Sequence, residues 1–187
     1  FGCLGYELDL KHLTMLERKE VSQQIAYYRE HRRTLQYGRF FRHDTDKSNK
    51  VYWQSVSKDQ SHSIAGVFQT LAQAAEGNDI LPLAGLDEQK KYRMQTKGQR
   101  VFIRRFGGLV NHLLPFAINP NGALFRWADR LYAMRDCVET YTASGQTLLQ
   151  GVHLNQQFVA TGYNDQIRML GDFGSNLYTL DEVSSDQ

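Results

Sequence analysis

At 187 residues and 41% hydrophobic side chains, the chain is long enough to bury a real core within one or two domains. Its 22 basic residues stand against 20 acidic ones and run together at most in pairs such as Arg32-Arg33 and Arg104-Arg105, so no extended positive field is available to follow a phosphate backbone. Two cysteines, Cys3 and Cys137, cannot build a disulfide framework, and no Asn-x-Ser/Thr acceptor, signal core or membrane-length apolar run occurs. These features predict a cytoplasmic protein with neither nucleic acid nor membrane as a partner.

The first residues, Phe1-Gly2-Cys3-Leu4-Gly5, carry no initiator Met and read as a cut near the end of a buried strand in something longer. Thr14 followed by Glu17 forms a capping box, in which hydroxyl and carboxylate each satisfy an orphan amide, so a helix is expected from Met15. Val21, Ile25, Tyr28 and Leu35 recur at helical spacing, with Gln23, Gln24, Arg29, Glu30 and Arg33 left for the wetter faces. Glu17 and Glu20 complement the positive end of the helix, and Arg29, Arg32 and Arg33 its negative end. Gly38 offers a left-handed cap, so the helix should stop near Tyr37.

Beyond Gly38 the composition turns to aromatic and β-branched runs between polar turns. Residues 51–57 and 63–70 flank Lys58-Asp59-Gln60 as two neighbouring antiparallel strands. Further strands are expected at 80–83, 91–94, 101–106, 109–116, 123–127 and 177–180, with a reversal at Asn119-Pro120-Asn121-Gly122 and an irregular connection over 72–79.

The candidate chemistry is sparse. His12, His31, His43, His62, His112 and His153 are scattered and show no metal-ligand spacing, and Cys3 and Cys137 read as small buried hydrophobes. Ser144-Gly145 is no nucleophile elbow and Phe106-Gly107-Gly108 no phosphate loop, so both read as turns or close-packing sites. Two carboxylates suffice for sugar hydrolysis, but Glu7 with Asp9, and Asp165 with Asp172, are accounted for equally well by turns and ion pairs. Tyr52, Trp53, Trp127 and Tyr163 could offer stacking platforms to a sugar, or fill a sheet core, which is the default for inward aromatics. The residues alone therefore assign no catalytic, cofactor-binding or metal-binding position.

Two ordered blocks carry a sharper signal. The first is Phe1 to Leu10, the helix after it, Gln36-Tyr37-Gly38 and Val56-Ser57-Lys58-Asp59. The second is Phe106-Gly107-Gly108-Leu109-Val110-Asn111-His112, Gly151-Val152, Gln157-Phe158, Gly162-Tyr163-Asn164-Asp165-Gln166-Ile167-Arg168 and Gly171-Asp172-Phe173-Gly174-Ser175-Asn176-Leu177-Tyr178. Together they resemble the C-terminal portion of bacterial family 36 glycoside hydrolases, the large α-galactosidases, in their lactic-acid-bacterial form.

The resemblance implies a mainly β fold: residues 1–38 as the last strand and helix of a (β/α)8 barrel, and 39–187 as a C-terminal antiparallel β-sandwich-like domain. A whole barrel needs roughly 250 residues, more than the chain holds. It also implies a parent that hydrolyses terminal α-D-galactosyl residues of oligosaccharides such as melibiose and raffinose by the retaining route, with an aspartate nucleophile and an aspartate acid/base. In the family these lie in Lys-Trp-Asp-Met-Asn and Ser-Asp-Asn-Thr-Asp motifs, and neither occurs here. The implied partners are an upstream barrel and N-terminal β domain of the same polypeptide, an α-galactoside bound by the parent, and a second copy in a homo-oligomer. No cofactor is implied. The family's Gly-Asp-Glu-Leu-Met-x-x-Gly-Leu pattern stands here as Gly145-Gln146-Thr147-Leu148-Leu149-Gln150-Gly151-Val152, which loses both acids and keeps the apolar positions. A carbohydrate-binding module and a purely structural β domain remain the alternatives.

Overall fold

The structure, a computed structural model, describes residues 2–7, 9, 11, 13, 15–45, 48–73, 78–98, 100–102, 122, 133–158, 164 and 166–184. Helix α1, Met15–Tyr37, holds no Gly or Pro, and only Val21, Ile25 and Thr34 are β-branched, so intrinsic propensity and position agree. Glu17 lies in its first turn, where a carboxylate meets the positive end. Thr14, and with it the expected capping box, lies outside the described residues. The last turn carries no basic side chain, since Arg32 and Arg33 fall one turn too early.

The helix stops where expected, but Gly38 does so by another means. Its φ is not in the left-handed region, which among the described glycines is occupied by Gly2, Gly85 and Gly151. Its amide still donates to Thr34 O at 3.0 Å. A Cβ there would meet Ser55 Oγ and Val56 O at 2.7 Å, and Thr34 O closer still. Glycine is required by close approach of helix end and sheet, not by a cap conformation.

The strands are β1 (Arg39–His43), β2 (Lys50–Val56), β3 (His62–Gln69), β4 (Ile80–Leu81), β5 (Lys91–Thr96), β6 (Arg100–Phe102), β7 (Ala133–Arg135), β8 (Thr140–Ser144), β9 (Val152–His153) and β10 (Ser175–Glu182), with a one-turn helix α2 (Gly145–Leu148) after β8. Six form one sheet in the order β1-β2-β3-β10-β5-β8, and β4-β9 and β6-β7 make two small ribbons. All these ladders are antiparallel. The last strand in sequence lies mid-sheet, with Tyr178 opposite Ala65 on one side and Thr96 on the other.

Alternation decides the faces. In β5, Tyr92, Met94 and Thr96 are buried while Lys91, Arg93 and Gln95 are exposed. Residues opposite one another share a face, so Tyr52, Val56, Ala65, Val67, Tyr178, Leu180, Tyr92 and Met94 form one apolar layer. Leu81, Leu83, Leu86, Leu148, Val152, Leu154 and Leu170, from the β4-β9 ribbon, α2 and loops, close over it. Among the described residues this cover is a ribbon and loops and not a second sheet of equal size. The opposite face carries α1, which rests on β2 and β3.

The hairpin at Lys58-Asp59-Gln60 forms as expected, with Gln60 at φ 57° and Asp59 Oδ1 accepting from Ser57 Oγ (2.6 Å), Ser61 N (3.2 Å) and Ser61 Oγ (2.9 Å). Those donors hold the Asp59 carboxyl well below the usual range. The expected strands at 109–116 and 123–127 lie outside the described residues, as does the reversal except for Gly122. Strands β1 and β8 were not expected, because both edge the sheet and present polar residues outward.

Residues 2–7 form no strand: barrel strands draw their hydrogen bonds from neighbouring strands, and this segment instead lies exposed along α1, with Tyr28 Oη donating to Gly2 O at 3.1 Å. No barrel closes among the described residues.

Candidate functional site

The carboxylates singled out in the sequence have local work. Asp9 Oδ1 accepts from Lys11 N at 2.9 Å and Asp172 Oδ1 from Ala72 N at 2.7 Å, while Glu7 is exposed and Asp165 lies outside the described residues. Tyr52 is 2% exposed and unavailable to a sugar. Trp53 is half-buried, packed between Phe40 and Phe68 with centroids 5.9 and 5.0 Å away. Trp127 and Tyr163 lie outside the described residues. Cys137 is buried, and burial pushes its thiol up to about 11. Cys3 is exposed, contrary to expectation, because its segment has only α1 to lie on, through Gln36 Nε2 at 3.5 Å. Ser144 caps α2, accepting from Thr147 N at 3.3 Å, and a Cβ on Gly145 would run into Asp87 O. Both are structural, and Leu148 and Val152 reach the core.

What sequence reasoning missed is a sealed cluster of charge beneath the sheet. Asp79 is fully buried and accepts Lys50 Nζ at 2.8 and 2.9 Å on its two oxygens, and Arg168 Nη2 as well. Lys50 also donates to Gln157 Oε1 at 3.0 Å, and Gln157 Nε2 donates to Leu170 O at 2.6 Å. Arg168 Nε donates to Asn155 O at 2.7 Å and stands 4.0 Å from Glu139 Oε2. Glu139 accepts the hydroxyls of Tyr141 and Tyr178, both at 2.9 Å, and Asn155 N at 2.6 Å. Beside it Asp136 accepts Met169 N and Asn176 Nδ2, each at 2.7 Å.

The electrostatics follow from burial. Burial opposes the charge on Arg168, yet Tyr178, Asp79 and Glu139 outweigh it and hold the guanidinium more firmly protonated than usual. Burial raises Asp136 above the ordinary carboxylate range despite its donors, and raises Tyr178 and Tyr141, whose hydroxyls also face Glu139. Asp79 lies between the two cations, Glu139 and Asp136 are held by hydroxyl and amide donors, and all five charged side chains are buried and so out of reach of a substrate. It pins the loops around Asp79, Asp136, Asn155 and Arg168 to the sheet. The one signal in sequence was Lys50, in phase with Tyr52, Gln54 and Val56 and so aimed into the core.

A second cluster joins α1 to the sheet. His31 Nδ1 and His62 Nε2 are 3.1 Å apart, and His62 Nδ1 is 2.6 Å from Asp181 Oδ1. One turn on, Ser55 Oγ donates to Thr34 O at 2.6 Å. The docking face is thus Tyr27, His31 and Thr34, roughly 100° around the helix from Val21, Ile25, Tyr28 and Leu35. Those four apolar residues are only half-buried. Among the described residues no group of three or more His, Cys, Asp or Glu could hold a metal ion, and no helix is long and apolar enough to cross a membrane.

Comparison with known proteins adds what this geometry does not carry. The sequence model of the glycosyl hydrolase family 36 C-terminal domain matches residues 50–180. Alpha-galactosidase AgaA of Geobacillus stearothermophilus is 37% identical over 98 residues, 52% of this chain, and alpha-galactosidase Mel36A of Lactobacillus acidophilus is 32% identical over 93 residues, 50% of it. The chain spans 13% of the length of each. A crystal structure of an AgaA variant with 1-deoxygalactonojirimycin superposes with TM-score 0.59 and 25% identity over 96% of this chain and 18% of that one. The Lactobacillus brevis alpha-galactosidase structure, at TM-score 0.62 and 21% identity, shares the fold over 98% of this chain and 19% of its own.

Proposed function

Since the chain belongs to glycosyl hydrolase family 36, through its C-terminal domain, we propose that it is the non-catalytic C-terminal part of a retaining α-galactosidase acting on terminal α-D-galactosyl residues of oligosaccharides such as melibiose and raffinose. The observation that carries the reading is the extent of the likeness: nearly the whole chain follows AgaA, yet it accounts for 18% of that protein. On this reading residues 1–38 are the last strand and helix of the barrel, and 39–187 the β domain behind it. Half-buried Val21, Ile25, Tyr28 and Leu35 support it, because such a stripe suits a helix with a further neighbour.

The catalytic pair would then lie upstream. A retaining site needs two carboxylates roughly 5 to 5.5 Å apart. Here Asp9 and Asp172 accept backbone amides, and Asp79 and Glu139 are locked to buried cations and hydroxyls. The lactic-acid-bacterial subtype, a homo-oligomeric parent and a cytoplasmic location belong to the same proposal. The first draws on Mel36A and on alpha-galactosidase 1 of Pediococcus pentosaceus, 33% identical over 93 residues.

The test is steady-state hydrolysis of a chromogenic α-galactoside by this chain and by AgaA in which the chain replaces the matching C-terminal portion. The chain alone should give no turnover and the graft should be active. Turnover by the chain that Glu7→Gln or Asp9→Asn abolishes without unfolding would overturn the reading.

A further inference from the structure

We infer that α1 is held on the sheet by a proton-operated latch, in which His31 and His62 carry at most one excess proton against Asp181 and a second proton opens the contact. It stands on contacts within this chain and is independent of the enzymatic parentage.

The proton accounting follows from the two distances. With both rings neutral, His62 Nδ1–H donates to Asp181 across 2.6 Å, His62 Nε2 is an acceptor, and His31 Nδ1–H donates to it across 3.1 Å. His31 Nε2 then turns a lone pair toward Glu30 Oε2, 3.9 Å away. One added proton reverses the central bond. His62 donates from both nitrogens, to Asp181 and to His31 Nδ1, and the hydrogen of His31 moves to Nε2, facing Glu30. No hydrogen bond is lost, and the charge lies between two carboxylates. A second proton sets N–H against N–H across 3.1 Å, on rings stacked at 11° with centroids 5.0 Å apart.

The groups facing the pair strengthen this limit. From α1 come Glu30 and Tyr27, whose ring meets His31 edge-on at 4.3 Å. From β3 comes His62 and from β10 Asp181. Lys97, just beyond β5, sets its Nζ 3.5 Å from the centroid of Tyr27 and adds like charge. Burial, His62 and Lys97 make His31 harder to protonate, outweighing Glu30 and Asp181. The hydrogen bond from His62 keeps Asp181 ionised below the usual carboxylate range. A histidine whose folded pKa is depressed contributes stability above its ordinary value and loses it as pH falls through the folded one. The latch is therefore closed at neutral pH and opens on acidification.

The experiment follows amide exchange and imidazole 15N shifts of the full chain from pH 7.5 to 4.5. Protection of α1 relative to β3 should fall about tenfold per pH unit over the range in which the opened helix takes up the second proton and the closed latch does not. His31→Gln, which still donates to His62 but cannot be charged, should abolish that slope, and Asp181→Asn should move its onset to higher pH. Loss of α1 and β3 protection in step, or an unchanged slope in His31→Gln, overturns the latch. So do wild-type 15N shifts in which the two imidazoles titrate independently, a readout that needs no variant to fold.

Discussion

Replacing Asp79 with asparagine changes one oxygen to an amide and leaves the shape of the side chain intact, so it isolates the charge at the centre of the buried cluster. The carboxylate faces Lys50 Nζ at 2.8 and 2.9 Å and Arg168 Nη2, and the side chains of the two cations are 0% and 1% exposed. Neither can turn to water. The asparagine NH2 would also point a donor at a donor. Glu139, 4.0 Å from Arg168 Nε, compensates part of the loss on that side, and Gln157 part of it at Lys50. Breaking a buried pair this way costs about 3–5 kcal/mol. Urea unfolding followed by tryptophan fluorescence and far-UV dichroism should therefore show a midpoint lowered by about 1 M or more at slopes of 1–3 kcal/mol/M. Lys50→Met in the Asp79→Asn background removes an ammonium that has lost its carboxylate and should recover part of the loss. A cost below about 1 kcal/mol for Asp79→Asn would refute the reasoning, since taking the carboxylate from two buried cations cannot be that cheap.

Asp136→Asn should behave oppositely, costing less than about 1 kcal/mol at neutral pH, because Asn176 Oδ1 is buried without a partner and a flipped Asn176 amide can accept from the new NH2. Burial raises the folded pKa of Asp136, so its contribution worsens as pH rises through that value, and the variant should gain on the wild type from pH 4 to 7 in the same assay. Gly38→Ala places a Cβ against Val56 O and Ser55 Oγ at 2.7 Å and should cost about 1–3 kcal/mol in thermal unfolding; a neutral result would refute the close approach. Phe173, 79% exposed at φ 53°, holds a left-handed conformation that costs a non-glycine residue about 1–2 kcal/mol, so Phe173→Gly should raise the unfolding midpoint despite the entropy of glycine. A lowered midpoint would show that the ring is held by packing.

Much of the fold was legible where the deciding residues are neighbours in sequence. An unbroken run of helix formers ending at Gly38 marked α1, and alternation around Lys58-Asp59-Gln60 marked β2 and β3. Strand β10 was seen as a strand, but its seat between β3 and β5 was not, because a pairing that spans so much chain leaves no periodic trace. The site was less legible for a sharper reason. Asp79 and Arg168 look like surface charges, Lys50 is marked only by its phase with Tyr52, Gln54 and Val56, and what makes burial tolerable is a partner 29 or 89 positions away. His31 and His62 are 31 apart, and His62 and Asp181 are 119 apart. Hydrophobic periodicity found the stripe at Val21, Ile25, Tyr28 and Leu35 and missed the polar stripe at Tyr27, His31 and Thr34 that docks the helix. Apolar burial is stabilising whatever the neighbour, so pattern alone reveals it. Ionic burial is stabilising only when the far partner is in place, so it becomes readable once topology has chosen the neighbours. The charges that pattern reading assigned to the surface are for that reason the ones whose substitution best tests the arrangement of the sheet.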